Sequence, residues 1–195
     1  MNIIKMTLLV LAIILIACKP DSPIISLDYI TELENLTTDD SKKAYLENIL
    51  IEDQEVRGDE DVEIMLNYGK DSQQYEDFIN KMKMQDSINL LKIEKYFELY
   101  GYPTKALGDG AATAPWMVIH HTGGYELRDK HFDTIYNAYL HGNIDDGAIS
   151  FYLRRMYRFK FGKLMDMESP FKAEDEINKY IREMGLEDRR DALRR

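Results

Sequence analysis

Charged and imidazole side chains stand in this sequence where helical periodicity calls for apolar ones. Downstream of Thr38 one stripe steps through Leu46, Leu50, Asp53 and Arg57, the spacing of a single helix face. A second stripe runs Ile79, Met82, Asp86, Asn89 and Ile93, with Asp86 at a turn where an apolar residue is due. His120 and His121 close an apolar run that opens at Trp116. A buried charge costs roughly several kcal/mol unless it is paired, so these side chains need partners or a wet cleft. One reading gathers Asp53, Gln54, Arg57, Asp86, Asn89 and His121 into a shared polar site. There His121 serves as general base, Asp53 or Asp86 orients it, and Arg57 holds an anionic group. The other reading is an internal network. Asp53 and Arg57 then pair one turn apart, Asp86 caps a neighbouring backbone, and His121 is a satisfied core histidine.

Other chemistries find less support. All four histidines lie between positions 120 and 141, yet His121, His131 and His141 drift off a common helix face at about 100° per residue. No His-Glu-x-x-His and no cysteine pair is present, so no metal site is expected. His131 and His141 read as solvated, and of the adjacent His120 and His121 at most one should face inward. There is no Gly-x-Ser-x-Gly elbow, and Gly108-Asp109-Gly110 lacks the lysine and spacing of a phosphate loop. The abundant tyrosines fall on apolar stripes and read as core, with a sugar-stacking face as the alternative. No cofactor is implied.

Cys18 is the only cysteine. Thr7 to Ala17 is uncharged and almost wholly apolar. That is too short for a membrane span of about 20 residues and suits a signal-peptide core. Leu15-Ile16-Ala17-Cys18 resembles the lipobox of bacterial lipoproteins. The resemblance implies cleavage before Cys18 and acylation of it, and two or more chains anchor stably where one does not. Lysine rather than aspartate at position 19 looks like the outer-membrane default, on the periplasmic face or the cell surface. The expectation is a signal peptide over 1–17, a lipidated Cys18 and tether over 18–37, a helical domain over 38–185 and a charged tail over 186–195.

Loss of residues 1–17 changes the net charge from −10 to −11. An acidic domain of this kind should avoid nucleic acid and anionic lipid headgroups. Its charges are interspersed, as on a solvated surface, and the length suffices for one domain.

The positioning elements follow from periodicity and punctuation. Residues 19–37 read as a tether that becomes a short helix, delayed by Pro20 and Pro23. A helix is predicted from Thr38 or Asp39 to about Arg57, with Gly58 as its stop. Residues 58–70 are acidic and ambiguous. The clearest helix carries Tyr75, Phe78, Ile79, Met82, Leu90, Ile93, Phe97 and Tyr100 and ends at Gly101. Residues 104–113 read as a Gly/Ala-rich loop and the run from Trp116 as helix. Further helices are predicted over about 129–141 and 145–158, and after Pro170 to Gly185. Together they predict a single compact all-α domain of five to seven helices.

The polar positions also carry a family resemblance. Asp53-Gln54-Glu55-Val56-Arg57 resembles the Asp-Gln-x-x-Arg opening of a bacterial domain family of unknown function, the DUF6624-like proteins. Asp86 and Asn89 resemble its Asp-x-x-Asn, Tyr100-Gly101-Tyr102-Pro103 its Tyr-Gly-Trp-Pro turn, and His121 the histidine after its apolar run. The likeness covers roughly residues 45–165. Arg154-Arg155 stands where the family has Asp-Arg, and its downstream Gln-x-Tyr-Gly-Thr-Gln segment is missing. The resemblance implies which residues matter rather than a reaction. With that segment absent, a non-catalytic envelope lipoprotein binding a protein or small molecule is expected. A hydrolase-like enzyme is the alternative, and an immunity protein neutralising a basic toxin a third.

Overall fold

The computed structural model describes residues 27–58, 60–167 and 172–195. The signal segment, Cys18 and the start of the tether lie outside the described residues. Among the described residues there are nine α-helices and one 3-10 turn, and no strand. The all-α expectation holds, with more and shorter helices than the five to seven predicted. No described helix is long and apolar enough to cross a membrane.

Helix α1 (Leu27–Glu34) belongs to the domain rather than to a tether. Leu33 and Leu36 are buried in the core, and Tyr100 donates its hydroxyl to the Leu33 carbonyl at 2.7 Å. Helix α2 (Asp39–Glu55) starts at a Thr38–Ser41 capping box, which satisfies two of the amide donors left free at a helix start. The ambiguous acidic stretch forms α3 (Glu60–Tyr68), which buries no residue. Helix α4 (Gln73–Tyr100) is capped by Ser72 and stopped by Gly101 at φ 73°, a left-handed value that favours glycine.

The predicted loop at 104–113 is the largest difference. Lys105–Leu107 is a 3-10 turn and helix α5 already begins at residue 109, spanning Asp109–His121. Its small residues are a contact surface. A Cβ on Gly110 would stand 3.1 Å from Glu47 Cγ, and Ala111 and Ala114 are fully buried. Small side chains thus let α5 lie close along α2, and the two helices run side by side in the same sense. That parallel approach delivers the end of α5 to the end of α2.

The other half of the core is formed by α6 (Tyr125–Leu140), α7 (Asp146–Phe161) and α8 (Ala173–Met184). Helix α8 turns Ile177, Tyr180, Ile181 and Met184 inward, a regular three- and four-residue stripe. Each fully buried aliphatic side chain contributes about 1.5–3 kcal/mol. The stretch expected as a charged tail forms α9 (Glu187–Leu193). Leu186 is buried before it, and Arg189 binds Asp129 and Asp133 on α6 at 2.8 and 2.9 Å. The domain therefore extends at both ends beyond 38–185.

Candidate functional site

The parallel contact of α2 and α5, crossed by α4, brings five of the six predicted residues together. Asp53 has no solvent exposure. Its Oδ2 accepts from Gln54 Nε2 at 2.7 Å and lies 2.8 Å from His121 Nδ1. Its Oδ1 pairs with Arg57 at 3.1 Å, and the same guanidinium donates to the Asp53 carbonyl at 2.6 Å. The other arm of Arg57 pairs with Asp86 of α4. One guanidinium thus bridges two carboxylates on two helices, and its planar fork suits that task. Asp86 binds a side chain here instead of capping a backbone.

Asn89 is the exception. It is fully buried but joins Gln85, whose Nε2 donates to Asn89 Oδ1 at 2.9 Å and faces Glu52 at 3.2 Å. Its own Nδ2 has no partner.

Both adjacent histidines face the protein, against the expectation that only one would. Fixed by Asp53 through Nδ1, the His121 ring keeps 16% of its side-chain surface open. His120 is 1% exposed and stacks on Phe151 with ring centroids 4.2 Å apart. His131, expected in solvent, is buried and lies 2.8 Å from Glu94, which also receives Lys130 at 2.6 Å. Only His141 is exposed.

Beside His120 opens a cleft of about 500 Å³ that periodicity does not reveal. Arg154, Arg155 and Arg158 of α7 line it, together with Phe151, Phe159 and Leu164. Arg154 is paired with Glu176 at 2.8 Å. Among the described residues neither Arg155 nor Arg158 has a carboxylate partner. Arg155 Nη1 lies 3.4 Å from His120 Nε2. Below them Arg128, fully buried, satisfies its terminal nitrogens on backbone alone, at the carbonyls of His120, Gly123 and Gly124.

The electrostatics follow from this crowding. Burial, then Arg155 and His121, push the His120 imidazole down to about 3. Burial, then Arg155, bring Arg128 down to about 10. Burial, then Arg57 and Arg158, lower Arg155, with Asp86 opposing. Desolvation disfavours the charged form and like charges add to it. The cleft therefore holds more positive charge than its own carboxylates balance.

Among the described residues no group of three His, Cys, Asp or Glu is placed to hold a metal. No protein-family model, curated protein or solved structure matches the chain.

Proposed function

We propose that this chain is a lipid-anchored envelope protein that binds an anionic ligand without transforming it. The observation that carries the reading is Arg155, half-buried in the α7 cleft beside Arg158 with no carboxylate partner among the described residues. A desolvated guanidinium presents a fork of donors suited to phosphate or carboxylate. The Asp53–Arg57–Asp86 clamp is internally satisfied and, through His121, fixes the end of α5 that carries His120 into the cleft. Membership of the DUF6624-like family is part of the same proposal, supported by the motif residues that meet there.

The anchoring half rests on Cys18 and the apolar run before it. Labelled palmitate should enter the protein and fail to enter Cys18→Ser; a parent chain that takes up no label would remove the tether. The binding half is tested by thermal unfolding of the full-length protein with inorganic phosphate. At a hundredfold excess over Kd the ligand adds about 2.7 kcal/mol, a shift of several degrees that Arg155→Gln should erase. No shift for phosphate and for short carboxylates would overturn it.

One feature favours a second reading. With Nδ1 held by Asp53, His121 has no hydrogen-bond partner for Nε2 among the described residues and remains partly open to solvent. That is the arrangement of an oriented general base. Hydrolytic turnover lost in Asp53→Asn, with phosphate binding retained, would decide for it.

A further inference from the structure

We propose that the outer face of α7 and the turn after it, from Phe151 to Leu164, docks on an anionic lipid surface. Arg155 and Arg158 would take lipid phosphate while Phe151, Phe159 and Leu164 enter the headgroup layer. This rests on the anion-binding reading above and names the source of the anion.

The first observation is charge segregation. Residues 151–164 hold five Lys and Arg and no acid, so the remainder of a chain of net −10 carries −15. Lys160 turns away to the Met184 carbonyl at 2.7 Å, and Arg154 is bound by Glu176. Arg155, Arg158 and Lys163 remain as cations without a carboxylate partner among the described residues. The acidic remainder of the body should be repelled by anionic lipid. A shorter basic cluster lies at 189–195, where Arg189 and Arg190 are already paired with Asp129, Asp133 and Asp191, so the larger α7 face would set the orientation on the surface.

The second observation is the apolar component. Phe151, Phe159 and Leu164 are 46%, 47% and 63% exposed and share the cleft with the arginines. A free phosphate would leave these side chains in water, whereas a lipid interface accepts aromatic rings beside basic residues.

The third observation is that the aromatic rings are held in place. Arg128 lies 4.6 Å and Arg155 5.8 Å from the Phe159 ring centroid, and Phe151 stacks on buried His120. Rings fixed before binding lose less freedom on binding. His120 Nδ1 is also buried without a partner at the back of the cleft.

The test uses the mature chain, residues 18–195 carrying Cys18→Ser, so that neither an acyl chain nor the apolar segment before position 18 contributes. Flotation is measured with phosphatidylcholine vesicles, with and without phosphatidylglycerol. Binding should rise with phosphatidylglycerol and fall with salt. Arg155→Gln/Arg158→Gln should weaken it about thirty-fold, taking two surface cations, with the helical circular dichroism intact. Should that pair unfold, Arg158→Gln alone, at an exposed position, should still lower it about five-fold. Equal binding to both vesicle types, or binding indifferent to these variants, overturns the lipid assignment. If phosphate raises the melting temperature but vesicles do not bind, the lipid inference fails and the anion-binding reading stands. If neither occurs, both fail.

Discussion

His121 Nδ1 lies 2.8 Å from Oδ2 of Asp53, across 68 residues of sequence, and that carboxylate is entirely shielded from water. The same group also receives Gln54 and Arg57. Asp53→Asn keeps the shape but turns an amide donor toward one of these donors. Breaking a buried charged pair from one side costs about 3–5 kcal/mol. Urea denaturation should show that loss, and an unchanged midpoint would contradict the structural role given to Asp53.

Arg57 reaches Asp53 on α2 and Asp86 on α4 with separate nitrogens. Arg57→Lys retains the charge but offers one point where two are used. We expect a loss of about 1–3 kcal/mol and a larger one for Arg57→Gln. A double-mutant cycle with Asp86→Asn should give a coupling of about 0.5–3 kcal/mol. Additive effects would show that the bridge carries no energy.

How much of this was legible depended on what kind of signal each residue leaves. Bulky side chains repeat with the helix, so the stripe from Tyr75 to Tyr100 marks α4, and Asp53, Arg57 and Asp86 show as interruptions of such stripes. Small residues leave no stripe. The segment from Gly108 to Ala114 looked like a loop because its purpose is close approach to α2, which needs absence of bulk. Arg155 and Arg158 were hidden for the opposite reason. Cations on an outward helix face are ordinary, and only the missing acids between 151 and 164 set this one apart. His131 was misplaced because its partner Glu94 is remote in sequence. Asn89 sits at the predicted inward position, but pairing with Gln85 on its own helix takes it out of the clamp.

Helix α1 lies in the stretch expected to be a tether running into a short helix outside the domain, yet Leu33 is 1% exposed. Leu33→Ala should therefore cost about 2–5 kcal/mol, as truncation of a packed core leucine does. Chemical denaturation of the variant measures it. A cost near zero would return residues 27–37 to the tether.

The acid limb of the stability curve should belong in part to His120. Its folded-state imidazole is pushed down to about 3 by burial and then by Arg155, whereas an unfolded histidine titrates near about 6.5. Above the unfolded value both states are neutral and nothing is lost. As pH falls below it, the unfolded chain takes up a proton that the native chain refuses, so stability falls until about pH 3. The ceiling is about 1.4 kcal/mol per pH unit for one group. His131 is lowered by burial as well, against the pull of Glu94, and adds in the same direction. Phenylalanine at 120 would keep the stack on Phe151 and remove the unpartnered Nδ1. His120→Phe should thus be as stable as the parent or more so near about pH 7 and lose less between about pH 6 and pH 4. Carboxylates titrate alike in both proteins, so the difference in slope isolates His120. Urea midpoints across that range measure it, and parallel slopes would mean that the buried imidazole is charged after all.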